Sequence, residues 1–166
     1  MPAEDPYCLL TASVCPFGTE PRFYTMYGRF SGGKFVPDSV SEPDKGPDQY
    51  AGQVFRDHLG RNIMITWIPG WRYSGYAAND IGVMSVPREL KLTAGKITAF
   101  PVKEVQHLLR TDDPSVRLTD TGFVIERQNR EPVIYEGRLT DLKILRDNYI
   151  AEIFVNNGET VYTVLL

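Results

Sequence analysis

Glycine and proline interrupt this chain so often that few stretches are long enough for a stable α-helix. The 166 residues include 14 Gly and 12 Pro, and between them lie short segments rich in Val, Ile, Tyr, Phe and Thr. That is the pattern of many brief strands joined by turns, so the fold class is all-β. Residues 7–14 and 22–30 read as strands, and Ser31-Gly32-Gly33-Lys34 supplies the positive-φ positions of a tight hairpin. Residues 50–55 and 62–67 flank a turn that Gly60 can close in the left-handed conformation. Segments 82–86 and 89–92 follow, with Pro87 marking a bulge or edge position between them.

One stretch has a helical period. Val102, Val105, Leu108 and Leu109 share a face, with Lys103, Glu104, Gln106 and Arg110 opposite, which predicts a short helix over 102–110. Strands resume at 122–127, 132–136, 139–146, 150–155 and 160–166, and Asn156-Asn157-Gly158-Glu159 is a hairpin turn. The expected organisation is two β modules, 1–95 and 114–166, joined by a linker at 96–113 that carries the helix.

Several function classes are excluded at this level. The apolar runs are short and broken, so no membrane span is expected. Glu4, Asp5 and two prolines occupy the start where a signal peptide needs a basic end and an apolar run. The expected location is therefore the cytoplasm. The formal charge is −3, spread evenly over both halves, and no nucleic-acid partner is expected without a basic face. Cys8 and Cys15 lack a second pair or a neighbouring His to complete a metal site and are expected to be buried thiols. No metal and no cofactor is expected.

Three segments invite chemistry. Residues 44–53 set Asp44, Asp48, Gln49, Tyr50 and Gln53 around a Gly-Pro turn at the mouth of a strand, where binding residues often sit. The plainer reading, favoured on composition alone, is a solvated turn in which Asp44 and Asp48 cap backbone N–H groups. Residues 67–76 gather Trp67, Trp71, Tyr73 and Tyr76 around Pro and Gly, a composition that suits a carbohydrate platform, although Trp67 at a strand end reads as core. Arg56-Asp57-His58 resembles an acid/base group but sits on a hairpin lip, where neighbouring side chains point to opposite faces. His58 and His107 have no nucleophile or metal partner nearby in sequence and read as surface histidines.

The order of these segments is informative. Tyr50-Ala51-Gly52-Gln53-Val54-Phe55, Gly60-Arg61, Ile63-Met64-Ile65-Thr66-Trp67 and Gly82-Val83-Met84-Ser85-Val86-Pro87-Arg88-Glu89-Leu90 closely resemble the latter part of glycoside hydrolase family 32, the β-fructofuranosidases. Asp44-Lys45-Gly46-Pro47-Asp48 resembles that family's Asp-x-Gly-x-Asp approach. Glu152-Ile153-Phe154-Val155-Asn156-Asn157-Gly158 is similar to its penultimate strand pair, from which Asn148 and Tyr149 depart. The resemblance implies the last two or so blades of a five-bladed β-propeller followed by a short β-sandwich-like module. A four-stranded blade takes roughly 40 to 50 residues, which gives about two blades before the linker. About five strands are expected after it.

The family's chemistry is a retaining displacement on a terminal fructofuranosyl unit, with attacking and proton-donating carboxylates about 5 to 5.5 Å apart. Its Asn-Asp-Pro-Asn-Gly, Arg-Asp-Pro and Glu-Cys-Pro motifs do not occur in these residues, and by register the acid/base is expected just upstream of Met1. No catalytic residue is therefore assigned. By resemblance Asp44 holds the fructosyl unit, Trp71 walls the sugar pocket, and Tyr50 and Gln53 are further substrate contacts. Pro47 stands where some plant members have Lys.

The expected function is the C-terminal portion of a β-fructofuranosidase-like glycosidase, inactive alone. The alternatives are a carbohydrate-binding or protein-interaction module derived from that fold, or a complete enzyme of other chemistry using Asp44, Asp48 and Asp57. Expected partners are a fructose-containing saccharide, and an N-terminal half or a second copy meeting open blade edges.

Overall fold

The computed structural model describes residues 7–14, 22–68, 82–93, 95–127 and 130–166. Trp71, Tyr73, Tyr76 and Cys15 lie outside these residues. Among the described residues no helix is long and apolar enough to cross a membrane. The fold is almost all strand, as the turn-punctuated sequence requires.

β1 (Tyr7–Val14), β2 (Arg22–Ser31) and β3 (Lys34–Ser41) form an antiparallel meander. Its second turn has Gly32 at φ +58° and Gly33 at φ +77°, a pair of left-handed residues whose twist matches the flanking strands. A second sheet has the order β4 (Tyr50–Arg56), β5 (Asn62–Ile68), β7 (Arg88–Thr93) and β8 (Lys96–Pro101), with β6 (Val83–Met84) also on β5. Both sheets have the sequential antiparallel order of a propeller blade. Pro87 falls in the interruption between β6 and β7, where it has no ladder bond to donate. Ser85 bridges the gap: its N–H donates to the Thr66 carbonyl, and its Oγ accepts from the Thr66 N–H at 3.0 Å.

The last part contains six strands rather than about five. β9 (Val116–Thr119), β10 (Gly122–Arg127) and β11 (Arg130–Glu136) make one sheet; β12 (Leu142–Asp147), β13 (Ile150–Val155) and β14 (Thr160–Leu165) make another. β9 gave no sequence signal because, at four largely exposed residues, its Val-Arg-Leu-Thr alternation is too short to stand out. β8 likewise lies inside the segment read as linker, and it completes the second sheet instead.

The helix expected at 102–110 is a 3-10 helix at Lys103–Leu108 with no buried residue. Six residues close too few i→i−4 bonds to repay α-helix nucleation, so the tighter turn prevails. Val102 before it is buried, whereas Leu108 is 53% exposed. Arg110 then exchanges two 2.8 Å backbone hydrogen bonds with Ile144, tying the linker to β12.

The β12–β14 sheet is the shared middle layer. Ala151, Ile153, Val155, Tyr162 and Val164 pack with Phe123, Ile125 and Val133 of the last sheet pair. Their alternates Phe154 and Val161 pack with Phe23, Met64, Leu90 and Ala99 of the first part. Burial on both faces explains why β13 and β14 read as near-continuous apolar runs. Phe154→Ala is expected to cost about 3–5 kcal/mol. Urea unfolding should remain a single transition, with tryptophan fluorescence, which reports only the first part, coinciding with far-ultraviolet circular dichroism; separated transitions would show independent modules.

Candidate functional site

Residues 44–48 run beside β14 without forming a strand of their own. The Lys45 N–H donates to the Val161 carbonyl at 2.7 Å and the Asp48 N–H to the Thr163 carbonyl at 3.4 Å. Gly46 is required by this approach, because a Cβ there would lie 2.2 Å from both the nitrogen and the oxygen of Thr163. The two aspartates, though four residues apart, reach alternate residues of β14. Asp44 Oδ1 accepts the Thr163 N–H at 2.9 Å, and Asp48 Oδ2 accepts the Leu165 N–H at 2.8 Å.

Each aspartate also meets a buried arginine. Arg88, with no exposed side-chain surface, donates from Nη1 to Asp44 Oδ2 at 2.6 Å and from Nη2 to Glu152 Oε2 at 2.5 Å. The Thr163 hydroxyl donates to Asp44 Oδ2 at 2.5 Å, and the Val86 N–H to Glu152 Oε1 at 2.8 Å. The guanidinium carbon lies 5.4 Å from the centre of the Phe154 ring. Farther along, Arg127 donates from Nη2 to Asp48 Oδ2 at 2.7 Å and from Nε to the Leu165 carbonyl at 2.9 Å. Burial opposes the charge on Arg88, but Glu152 and Asp44 overcome it and hold the guanidinium above its ordinary value. Burial pushes the Glu152 carboxyl above its usual range against the pull of Arg88.

The turn reading of Asp44 and Asp48 is therefore right in its hydrogen bonding and wrong in its solvation: both cap N–H groups, in the interior. The Asp44 carboxylate, expected at the sugar, faces the junction between the two parts with no exposed surface. Asp57 accepts from the N–H groups of Leu59 and Arg61 and from Arg61 Nε, while Arg61 also clamps Glu104 with two 3.0 Å contacts. Desolvation would raise the Asp57 carboxyl, but hydrogen bonds from Arg61 and its charge hold it below the usual range. Asp57 is thus a turn and hairpin anchor, and His58 and His107 are exposed. A groove of about 640 Å³ between the first two sheets is lined in part by Leu9, Tyr27, Val54, Arg56 and Asn62, and among the described residues no carboxylate lines it.

Tyr50 and Gln53 have a different setting. Tyr50 pairs with Trp67 and Gln53 with Ile65, so Ala51 and Gly52 together oppose Thr66 in a β-bulge. Tyr50 is half-buried and Gln53 exposed. Beside them, Gln49 is buried with an amide oxygen that accepts no hydrogen bond from the described residues. Trp67, read as core, is only partly buried, and Trp71 lies outside the described residues. Among the described residues no group of three or more His, Cys, Asp or Glu gathers that could hold a metal. Nothing in the sequence gives a cluster role to Arg88, Arg127 or Glu152; for Glu152 the signal is a charge inside the otherwise apolar β13, whereas Arg88 and Arg127 stand at the ends of strands that carry other charges.

Residues 3–101 match the family model described as the glycosyl hydrolases family 32 N-terminal domain. The chain is 35% identical over 127 residues to a sucrose-6-phosphate hydrolase of Zymomonas mobilis, covering 74% of this chain and 23% of that protein. It is 30% identical over 129 residues to the sucrose-6-phosphate hydrolase of Staphylococcus xylosus, covering 75% of this chain and 25% of the relative. The chain thus spans about a quarter of the length of these curated relatives. A glycoside hydrolase family 32 structure from Bifidobacterium adolescentis superposes with a TM-score of 0.69 at 18% identity, over 96% of this chain and 35% of that one. A family 32 β-fructofuranosidase of Bombyx mori, solved as a mutant with sucrose, gives 0.69 at 19% identity, over 96% and 46%.

Removing one member of a buried ion cluster strands the others without water, at a cost of about 3–5 kcal/mol. Arg88→Met, which leaves Asp44 and Glu152 uncompensated, is expected to lose that much in urea titration. The triple change Arg88→Met, Asp44→Asn, Glu152→Gln should recover part of it, and equal stability of single and triple variants would refute the coupling.

Proposed function

The chain belongs to glycoside hydrolase family 32, and from that premise we propose that it is the C-terminal portion of a β-fructofuranosidase-like enzyme, contributing wall and brace rather than reacting groups. The observation that carries this reading is the family match over residues 3–101. The sucrose-6-phosphate hydrolase names of its relatives favour a terminal fructosyl unit as the ligand. In this reading Tyr50, Gln53 and Trp71 touch the sugar. The buried Gln49 amide oxygen is an acceptor that a hydroxyl or a water beside Tyr50 would satisfy. Asp44 acts at one remove, holding the segment that carries Tyr50 against β14.

In this proposal the attacking and proton-donating carboxylates are not among the described residues. Asp44, Asp48 and Asp57 are all engaged by arginine, which argues against a separate hydrolytic centre built from them. The purified chain is expected to release no reducing sugar from sucrose and to bind sucrose or fructose no tighter than the millimolar range by isothermal titration. Sustained release of reducing sugar that Asp44→Asn abolishes would overturn the proposal.

Self-association is a further part of this reading. On the first sheet the exposed Phe30 ring lies 5.5 Å from the half-buried Phe35 ring, and Val40 is 57% exposed. Apolar surface at an edge strand favours pairing with another strand or copy. Sedimentation should show a dimer or larger species that Val40→Lys shifts toward monomer; a clean monomer for the parent chain would refute it.

A further inference from the structure

The first strand of the second sheet contains a backbone feature that its residue type does not favour. Ala51 has φ +49°, a left-handed conformation in which an L side chain crowds the following carbonyl. It occupies the bulge of β4, where two residues oppose one. Ordinary alternation would send Tyr50 and Gln53, three apart, to opposite faces of the sheet. With the extra residue absorbed at Ala51, their partners are Trp67 and Ile65, which are two apart and therefore share a face. Tyr50 and Gln53 consequently stand on one face.

The other face locks the bulge in place. A Cβ at Gly52 would lie 2.4 Å from the Phe23 ring, and Phe23 is itself 1% exposed in the core between the first two sheets. The bulge cannot slide one residue onward, since that would press Gln53 or another side chain into Phe23. The irregular conformation therefore falls on Ala51, and its small side chain keeps the crowding low.

We propose that Ala51 is a positioning residue: its left-handed backbone sets the phenol of Tyr50 and the amide of Gln53 on a single face, where one furanosyl ring can meet both. This rests on the reading of those two side chains as sugar contacts, and it adds the device that brings them together. Sequence alternation alone places them apart, so the contact pair exists only because the bulge does.

The test compares Ala51→Gly with Ala51→Val in the full chain. Glycine takes positive φ freely, so Ala51→Gly should keep the bulge, the nuclear Overhauser contact between the Tyr50 and Trp67 side chains, and the parent affinity for fructose. Valine is β-branched and disfavours that conformation, so Ala51→Val should lose the Tyr50–Trp67 contact and weaken fructose binding by about tenfold or more. Urea unfolding of Ala51→Val should remain cooperative; if that variant does not fold, Ala51→Thr, also branched at Cβ but with a polar arm, replaces it with the same expected direction. A persisting Tyr50–Trp67 contact in the valine or threonine variant, or its loss with unchanged binding, would overturn the inference. Should the parent chain bind no fructose at all, the sugar reading falls, while the Tyr50–Trp67 contact still decides whether Ala51 sets the face.

Discussion

A fully buried arginine organises this protein. Arg88 comes from β7, its acidic partners come from the segment before β4 and from β13, and Thr163 of β14 closes the ring. A cation withdrawn from water is tolerable only when carboxylates and hydrogen bonds replace its hydration. That requirement can be met only if the first sheets and the last strands lie against each other. The ion cluster therefore selects one docking of the two parts, even though its net contribution to stability is modest once desolvation is subtracted.

The apolar layers follow the same plan. β13 sends Ala151, Ile153 and Val155 to one core and Phe154 to the other, with Glu152 beside Phe154 on the side that meets Arg88. The charged and apolar contacts thus occupy the same strand face, and Phe154 also lies under the guanidinium. Shape and charge reinforce each other, which is how a native contact set avoids competing arrangements. The Asp44-to-Asp48 segment extends this junction along β14 and leads directly into the bulge of β4. Brace and proposed sugar wall are consecutive in sequence, so the position of Tyr50 depends on how firmly Asp44 and Asp48 are held.

Much of the architecture was legible before any coordinates. The strands at Gly122–Arg127 and Ile150–Val155 and the turns at Gly32-Gly33 and Gly60 follow from period and from residues that tolerate positive φ. The elements that escaped, β8, β9 and the 3-10 form of the linker helix, are short, partly exposed or stabilised by neighbours. The candidate site was legible in part. Tyr50 and Gln53 share one face of the second sheet, whereas Asp44 points inward and Asp57 belongs to a turn.

By itself the sequence determined the class of fold, the positions of most strands and turns, and membership of glycoside hydrolase family 32, because these rest on local backbone preference and on motif order along the chain. Tertiary structure alone decided where the charged side chains go. Asp44 meets Thr163 across 119 positions and Arg88 meets Glu152 across 64. Whether a carboxylate faces a ligand or an arginine depends on what long-range packing brings beside it, since burial makes an unpaired charge too costly to leave, and no local pattern encodes that neighbour.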